Sequence, residues 1–537
     1  MISEEQSDID AALATSQTLV DALSNPDAFD HPVSKFDIIE THISWVILTG
    51  EYAYKIKKPV NFGFLDFSTL ELRHHYCDEE LRLNSRFAPE IYLEVVTIRG
   101  DRENPRISEK GPILEYALRM RQFAQSSLLS ALAERNELEA RHIDAIADRV
   151  AAAHRDCDCA ATGDQFGSVE SIEHWSEENL EHIRDSVPAE YLPAAFDRLQ
   201  RWFRRDPLLE QRIEARQEHG FVRECHGDLH LGNMALIDDQ VTLFDCIEFN
   251  PELRWIDTIS EAAFVAMDLH ARGYPAYAWR FLDRYLAASG DYAGTAMLRY
   301  YFVYRALVRA KVEALAVAPH MPGASVPVES YAGALRYIDL ADRWAGGHRA
   351  ALVLMHGLSG SGKSTVAAAL VEALGAIRVR SDVERKRLYD LDASADSGSS
   401  TGSGIYTEAA SERTYQRLAE IAQTVLNADF CIIVDAAFLR EDQRRMLLQV
   451  ESSCAFERII VECHAPADEL RRRIESRRND PSEANLAVLE HQLETVEPIT
   501  AGESASVIRV GPDGLDAATL DEIRRLLQLG KSTREET

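Results

Sequence analysis

The sequence predicts two domains of different fold class, an α+β domain followed by an α/β domain with a mostly parallel sheet. The chain has 537 residues, more than one hydrophobic core usually serves, because cores stop growing near about 250–300 residues. In the second half, "AALVLMH", "GLSGSGKST" and "VAAALVEAL" are typical of a strand, a tight glycine-rich loop and a helix. In the first half, strand-like hairpins lie before and after the polar stretch "HGDLHLGN".

The composition is that of a globular protein, with 46% hydrophobic and 27% charged residues. A net charge of -30 disfavours a general nucleic-acid coat, because such binding depends on Lys and Arg neutralising phosphates. We see neither an apolar run of bilayer length nor the basic-then-apolar order of a signal peptide. The eight cysteines are scattered and do not suggest a disulfide framework. We therefore expect a cytoplasmic protein without a membrane partner.

The boundary between the two domains is predicted within "WAGGHRA", because glycine ends helices and a strand-like run follows at once. An acidic N-terminal extension precedes the first domain, and a helix with a polar tail follows the second. The predicted segments are residues 1–29, 30–346, 347–515 and 516–537.

The stretch "GLSGSGKS" fits G-x-x-x-x-G-K-[ST], and its place between a strand and a helix is the context that this phosphate-binding motif requires. Glycines let backbone N–H groups surround phosphates, the lysine reaches the β/γ-phosphates, and the serine hydroxyl can bind Mg²⁺. The residues predicted to bind ATP here are Gly357, Gly360, Gly362, Lys363, Ser364 and Thr365.

Three further stretches of the second half carry candidate catalytic residues. In "RSDVERK", Asp382 can take a proton from an acceptor hydroxyl while Arg385 holds substrate or phosphate; a capped helix with an exposed charge pair is the alternative. The apolar strand of "FCIIVDAAF" ends in Asp435, where a metal-binding carboxylate would face the ligand crevice of a parallel sheet. Arg473 and Arg477 share one helical face and can close over phosphates as a lid, or form a solvated basic face.

These motifs of the second half, over roughly residues 350–515, resemble the P-loop small-molecule kinases of the AAA_33/zeta-toxin-like group. Asp435 is followed by Ala436 rather than by the glutamate of AAA+ motors. The resemblance therefore implies a kinase with Mg²⁺ and ATP as cofactors rather than a motor.

In the first half, "HGDLHLGN" places Asn233 five residues after Asp228, the spacing of a kinase catalytic loop. There the aspartate faces the acceptor hydroxyl and the asparagine reaches Mg²⁺. The following "MALIDDQVTLFDCIEF" predicts a hairpin that delivers Asp245 as a second metal-binding carboxylate.

A lysine and a partnering glutamate are expected upstream of this loop. The stretch "HISWVILTGEYAYKIKKPV" predicts a hairpin with Lys57 near its end, and the helix that follows carries Glu79 and Glu80, one of them within its apolar stripe. A carboxylate in an apolar stripe needs a partner. We predict that Lys57 pairs with Glu80, although a lone lysine is more often a surface residue.

The first half, over roughly residues 30–315, resembles the aminoglycoside phosphotransferase and choline-kinase-like family of the protein-kinase-like fold, in the branch fused to a P-loop ATP-binding domain. The resemblance implies that Asp228 is the catalytic base, that Asn233 and Asp245 bind the metal, and that Lys57 contacts the phosphates of ATP. It does not identify the substrate.

The leading hypothesis is a two-domain, ATP- and Mg²⁺-dependent phosphotransferase with a site in each half, acting on hydroxyls of small polar metabolites or sugars. The alternative is a P-loop kinase acting on a nucleic-acid 5'-hydroxyl or a nucleotide-sugar, with the first domain as a nucleotide-binding regulatory module. The expected partner is a small-molecule hydroxyl acceptor, and nucleic acid stays open only for the P-loop half.

Overall fold

The computed structural model describes residues 2–529 except 34, 64, 205, 318–325, 348, 394, 400–403, 477–484 and 501, with side chains from residue 12 to residue 527. The chain divides into two compact units. The first consists of Met1–Glu139, Asp156–Gly167 and Gly220–Glu261, and the second of Ala140–Arg155, Ser168–His219 and Ala262–Thr537.

The first unit is an α+β structure built around antiparallel strands. Its helices are α1 (Ile2–Ala22), α2 (Leu70–Asn84) and α3 (Leu129–Glu134). Its strands are β1 (Asp37–Glu40), β2 (Ser44–Leu48), β3 (Tyr52–Lys57), β4 (Tyr92–Gly100), β5 (Pro105–Ile107), β6 (Ile113–Arg121), β7 (Val222–Glu224), β8 (Met234–Ile237), β9 (Gln240–Leu243) and β10 (Trp255–Asp257). One sheet has the order β1-β2-β3-β6-β4-β5, while β7 pairs with β10 and β8 with β9.

Local sequence explains the two hairpins that shape the site of this unit. Gly50 turns the chain between β2 and β3 with φ of 101°, a left-handed conformation that glycine adopts without strain. Asp238 and Asp239, both with positive φ, turn the chain between β8 and β9, and aspartate is among the few other residues that tolerate this region. Helix α2 starts after Thr69, whose side chain accepts a hydrogen bond from the Leu72 N–H.

Helix α1 contributes to the hydrophobic core of the first unit. Leu19, Val20 and Leu23 are buried in one cluster with Trp45 and Ile47 of β2. The end of the segment predicted as an acidic extension is therefore an apolar face packed on the sheet.

The second unit combines helices with a parallel sheet. Its helices are α4 (Ala140–Asp156), α5 (Val169–Ser186), α6 (Ala194–Trp202), α7 (Leu209–Glu218), α8 (Thr258–Ala271), α9 (Pro275–Ser289), α10 (Thr295–Val317), α11 (Ala332–Ala345), α12 (Lys363–Leu374), α13 (Ser381–Arg387), α14 (Glu408–Asn427), α15 (Glu441–Leu448), α16 (Ala467–Ser476), α17 (Leu486–Thr495) and α18 (Ala517–Leu529). The last residue of α4 and the first four residues of α8 are assigned to the first unit. Its strands are β11 (Ala351–His356), β12 (Ala376–Arg380), β13 (Cys431–Asp435), β14 (Glu457–Cys463) and β15 (Ser506–Val510).

The five strands of this sheet are all parallel, in the order β12-β13-β11-β14-β15. Strand β11 lies at the centre and is buried along its whole length, as its uninterrupted apolar sequence requires for a strand covered on both faces. The chain leaves β11 into the glycine-rich loop and then into α12. The predicted fold classes, α+β followed by α/β with a parallel sheet, are confirmed.

The compact units do not follow the predicted domain segments. Helix α11 ends and β11 begins on either side of "WAGGHRA", but the helices from residue 262 to residue 345 belong to the same unit as the parallel sheet. These helices are grouped with the sheet because their side chains contact it and its helices. Arg280 of α9 bonds Glu372 of α12 at 2.8 Å, and Asp283 bonds Arg378 of β12 at 2.8 Å. The predicted segment boundaries stay predictions.

None of the helices within the described residues is long and apolar enough to cross a membrane.

Replacing Leu23 by Ala tests the packing of α1 on the sheet. The leucine is buried, so we expect Leu23→Ala to lower the free energy of unfolding of the first unit by about 2–5 kcal/mol, from lost transfer energy and the cavity that remains. Urea denaturation followed by tryptophan fluorescence measures the change. Leu93→Ala, at an exposed position of β4, is the control and should cost less than about 1 kcal/mol; equal effects of the two changes would contradict the packing.

Candidate functional site

Two lysines of β3 share one buried glutamate in the first unit. The Lys55 ammonium lies 2.7 Å from Glu80 Oε1 and 2.5 Å from Asp245 Oδ1. The Lys57 ammonium lies 2.7 Å from Glu80 Oε2 and also pairs with Glu248. Burial acts to raise the pKa of Glu80, but the charges and hydrogen bonds of Lys55 and Lys57 outweigh it and lower that pKa to about 2. Glu80 is therefore ionised at neutral pH.

The two lysines differ in what they can reach. The side chain of Lys57 is 1% exposed and enclosed between Glu80 and Glu248, whereas Lys55 bonds Asp245, which is 43% exposed. This geometry favours Lys55 over Lys57 for contact with a phosphate, and both assignments stay predictions. The sequence made Lys55 a candidate beside Lys57, because residues two apart in a strand point to the same face, but it did not decide between them.

Asp228 and Asn233 meet as their spacing predicts. The Asn233 Nδ2 amide donates to the Asp228 carbonyl at 2.9 Å and to Asp228 Oδ2 at 3.0 Å. These two bonds use the amide hydrogens and direct the Asn233 Oδ1 oxygen elsewhere. The Asp228 carboxylate stays 35% exposed. Asn233 thus orients the candidate base while leaving it open to an acceptor.

Oxygen donors suited to Mg²⁺ are present in this site. The Asp245 carboxylate follows β9 at a residue with φ of 66°, and its backbone N–H donates to the Tyr92 hydroxyl at 2.9 Å. Mg²⁺ binds carboxylate and amide oxygens, usually through one or two carboxylates. Asp245 and Asn233 would hold the ion.

A buried glutamate that the sequence analysis missed holds the backbone of the "HGDLHLGN" loop. Glu261 accepts hydrogen bonds from the His226 N–H at 3.2 Å and from the Gly227 N–H at 2.6 Å. The imidazole of His226 bonds the Phe244 carbonyl at 2.8 Å through Nε2. Burial lowers the pKa of His226, which keeps the ring neutral. An acidic residue inside the apolar stretch "TISEAAFVAM" was the available signal for Glu261.

The second unit contains a cleft of about 1350 Å³ around the glycine-rich loop. It brings together the residues of the phosphate-binding motif and the candidates from three other segments. Lining residues include Gly360, Gly362, Lys363, Ser364, Thr365, Asp382, Arg385, Asp435 and Arg473.

The shape of the loop depends on its glycines. A Cβ at Gly357 would lie 2.3 Å from the Cys463 carbonyl oxygen, so the close approach of loop and β14 excludes any side chain. Gly362 has φ of 94° and precedes the first residue of α12. The first residues of this helix, Lys363 to Thr365, line the cleft. The Lys363 ammonium bonds the Leu358 carbonyl of the same loop at 2.8 Å.

Asp435 ends β13 at the cleft with one oxygen unsatisfied. The residue is buried, and within the described part of the chain its Oδ2 atom has no hydrogen-bond partner. The nearest cations are Arg380 Nε at 3.7 Å and Arg378 Nη1 at 3.9 Å, beyond hydrogen-bond distance. A buried carboxylate oxygen without a donor suits a metal ion. Asp435, with Ser364 on the same cleft, would hold Mg²⁺.

Arg385 is not part of an exposed charge pair. It is buried in α13, its Nη1 donates to the Ile405 carbonyl at 3.0 Å and to the Ser411 hydroxyl at 3.2 Å, and its Nε has no partner among the described residues. Asp382 of the same helix lines the cleft. Both residues therefore lie at the cleft, and their roles stay predictions.

Of the two predicted lid arginines, Arg473 lies at the glycine-rich loop. Its guanidinium donates to the Gly360 carbonyl at 3.4 Å and to the Pro512 carbonyl at 2.8 Å, with Glu469 at 2.6 Å. Arg477 lies outside the described residues.

Comparison with known proteins gives matches over each part of the chain. The AAA domain family AAA_33 matches residues 352–499. The uncharacterized protein Rv2004c of Mycobacterium tuberculosis (strain H37Rv) is 31% identical over 472 residues, which cover 85% of this chain and 90% of that protein. The uncharacterized protein Mb2027c of Mycobacterium bovis matches with the same values.

Solved structures similar to the chain include kinases of both kinds. The amicoumacin kinase hAmiN covers 64% of this chain and 96% of its own, with 12% identity and a TM-score of 0.39. A choline/ethanolamine kinase family protein of Mesorhizobium loti covers 61% and 94%, with 11% identity and a TM-score of 0.37. A sugar kinase of Janibacter sp. covers 34% and 97%, with 18% identity and a TM-score of 0.27. The match to AAA_33 confirms the predicted P-loop part of the second half.

Methionine substitutions separate the two lysines of β3. In a Lys363→Ala background, where the cleft of the second unit is disabled, we expect Lys55→Met to weaken ATP binding about tenfold or more, through loss of a charge-assisted contact. Lys57→Met should change ATP affinity less than about threefold and instead lower the free energy of unfolding by about 3–5 kcal/mol, because it removes the lysine that pairs with buried Glu248 and one of the two that pair with Glu80. Calorimetric titration and urea denaturation measure the two quantities. A larger affinity loss for Lys57→Met than for Lys55→Met would restore Lys57 as the phosphate contact.

Proposed function

The chain belongs to the same family as the mycobacterial protein Rv2004c, and we propose that it is an ATP-dependent phosphotransferase with an active site in each unit. The proposed acceptors are hydroxyl groups of small polar metabolites or sugars. One observation carries the proposal. Each unit contains a lysine, a carboxylate suited to binding a metal ion, and a separate aspartate that is exposed to solvent or to a cleft. These are Lys55, Asp245 and Asp228 in the first unit, and Lys363, Asp435 and Asp382 in the second.

In the first unit, Asp228 is the proposed base. The acceptor O–H bond breaks as its proton passes to the Asp228 carboxylate, the oxygen forms a bond to the γ-phosphorus of ATP, and the bond from that phosphorus to the bridging oxygen breaks to release ADP. Asn233 holds the carboxylate in place, and Lys55 places positive charge beside the phosphates. Glu80 keeps that lysine charged and oriented.

In the second unit, the glycine-rich loop and Lys363 would bind the β/γ-phosphates, and Asp382 would accept the acceptor proton. Arg385 and Arg473 would neutralise charge on the transferring group. Asp245 and Asn233 in the first unit, and Asp435 and Ser364 in the second, would hold a Mg²⁺ ion that would neutralise phosphate charge.

The walls of the cleft support a polar acceptor. Ser411, Glu412, Asp442 and Gln443 line it and supply hydroxyl, carboxylate and amide groups that can bond several hydroxyls of one small molecule. The overall charge of -30 disfavours a nucleic-acid acceptor at this site.

Paired active-site variants of the full chain test the proposal. With a panel of sugars, sugar acids, amino alcohols and aminoglycosides, ATP consumption and labelled-phosphate transfer should each fall about 10²–10⁴-fold in Asp228→Asn for acceptors of the first unit. Lys363→Ala should cause a similar loss for acceptors of the second unit. The double variant should transfer phosphate to neither set.

Asp239→Asn, in the exposed turn between β8 and β9, and Lys110→Ala, at an exposed position, serve as controls and should match the unmodified protein. Transfer to oligonucleotide 5'-hydroxyls with none to any small molecule would contradict the proposed acceptor class. Turnover unchanged by Asp228→Asn for every acceptor, but lost in Lys363→Ala, would leave the first unit without catalysis.

A further inference from the structure

Among the contacts that join helix α9 to the segments around the glycine-rich loop, three involve α12, the glycine that ends it, and β12. Arg280 bonds Glu372 at the C-terminal end of α12. The Trp279 indole lies 2.8 Å from where a Cβ at Gly375 would stand, so it fits the glycine that ends α12. Asp283 bonds Arg378 of β12. The third contact reaches the candidate metal site.

The guanidinium of Arg378 lies close to three groups. Its Nε and Nη2 atoms lie 3.3 and 2.8 Å from the two oxygens of Asp283. Its Nη1 donates to the Ser364 carbonyl at 3.2 Å and stands 3.9 Å from Asp435 Oδ2. The side chains of Arg378 and Asp283 are 13% and 9% exposed, so water screens little of this charge.

We propose that Asp283 is a positioning residue for the metal site of the second unit, keeping the Asp435 carboxylate free for Mg²⁺ by holding Arg378 away from it. The inference rests on the proposed function of this cleft as a Mg·ATP site. Arg378 Nη1 is only about 1 Å beyond charge-assisted hydrogen-bond distance from the unsatisfied Asp435 oxygen. Asp283 holds the other edge of the guanidinium with two bonds and offsets its charge. Without Asp283, Arg378 would bond Asp435 and compete with the cation.

The backbone of β12 does not supply this restraint by another route. The Tyr292 hydroxyl donates to the Arg378 carbonyl at 3.2 Å and fixes the strand, not the guanidinium. Arg380, the other cation beside Asp435, stands 3.7 Å from its Oδ2 atom. Two groups hold the Arg378 guanidinium: the neutral Ser364 carbonyl bonds Nη1, and the Asp283 carboxylate, which is the charged partner, bonds Nε and Nη2.

The experiment measures nucleotide binding rather than turnover. Binding of a fluorescent ATP analogue to the full chain is titrated against Mg²⁺ and repeated in EDTA, and the signal lost in Lys363→Ala defines the second-unit site. In Asp283→Asn we expect the Mg²⁺ concentration for half-maximal binding to rise about tenfold or more, the usual effect of losing a residue that orients a metal ligand. Binding in EDTA should change less than about twofold, since no metal competes there with Arg378.

A double variant keeps the test independent of folding. If Asp283 acts through Arg378, Asp283→Asn combined with Arg378→Gln should need no more Mg²⁺ than Arg378→Gln alone. The matched control is Asp291→Asn, because Asp291 makes a buried two-bond pair with Arg216 at 2.6 and 2.7 Å in the same unit. It should leave the Mg²⁺ requirement unchanged.

An unchanged Mg²⁺ requirement in Asp283→Asn, an equal loss of binding in EDTA, or an equal rise in Asp291→Asn would overturn the inference while leaving the proposed function intact. If Lys363→Ala removes no nucleotide signal, the Mg·ATP site itself fails, and the inference fails with it.

Discussion

The first unit depends on the buried carboxylate of Glu80. A carboxylate without solvent is tolerated only when cations and donors replace the water it has lost, and here two lysines of one strand do so at 2.7 Å each. Each lysine also pairs with a carboxylate of the segment after β9: Lys55 pairs with Asp245, and Lys57 pairs with Glu248. The requirement to pair Glu80 thus brings α2, β3 and the candidate metal-binding segment to one place. The site of this unit is built by charge compensation as much as by its hydrophobic core.

The buried carboxylate of the second unit, Asp435, is paired less completely than Glu80. Asp435 has two arginines nearby, yet neither comes within hydrogen-bond distance, and one oxygen stays unsatisfied. An acid whose pairing is complete, such as Glu80, holds elements together, whereas an acid whose pairing is incomplete keeps affinity for a ligand. The buried carboxylate is fully paired in the first unit and incompletely paired in the second. The difference lies in the distance at which the neighbouring cations are held.

The parts of both sites that could be predicted from sequence are those set by local spacing. The loop from Gly357 to Thr365 needs only a strand before it and a helix after it. Asn233 meets Asp228 because it is the fifth residue after it in the same loop. The choice between Lys55 and Lys57 could not be made, since it depends on Asp245, 190 residues away. The roles of Glu261 and Asp283 were not predicted from the sequence for the same reason. Their partners are set by tertiary packing and not by a motif.

The position of Asp283 bears on how far the second half can be treated as a separate protein. The sequence boundary at residues 346/347 divides Asp283 from Arg378, although the two form one buried ion pair. A fragment beginning at residue 347 would keep the guanidinium of Arg378 beside Asp435 and lose the carboxylate that restrains it. It would also uncover the face of α12 that Trp279 and Arg280 contact. Breaking a buried pair by removing one partner costs about 3–5 kcal/mol, a large share of the stability of a domain. The metal site proposed beside the glycine-rich loop therefore depends on the intact second unit, including the helices that precede residue 347.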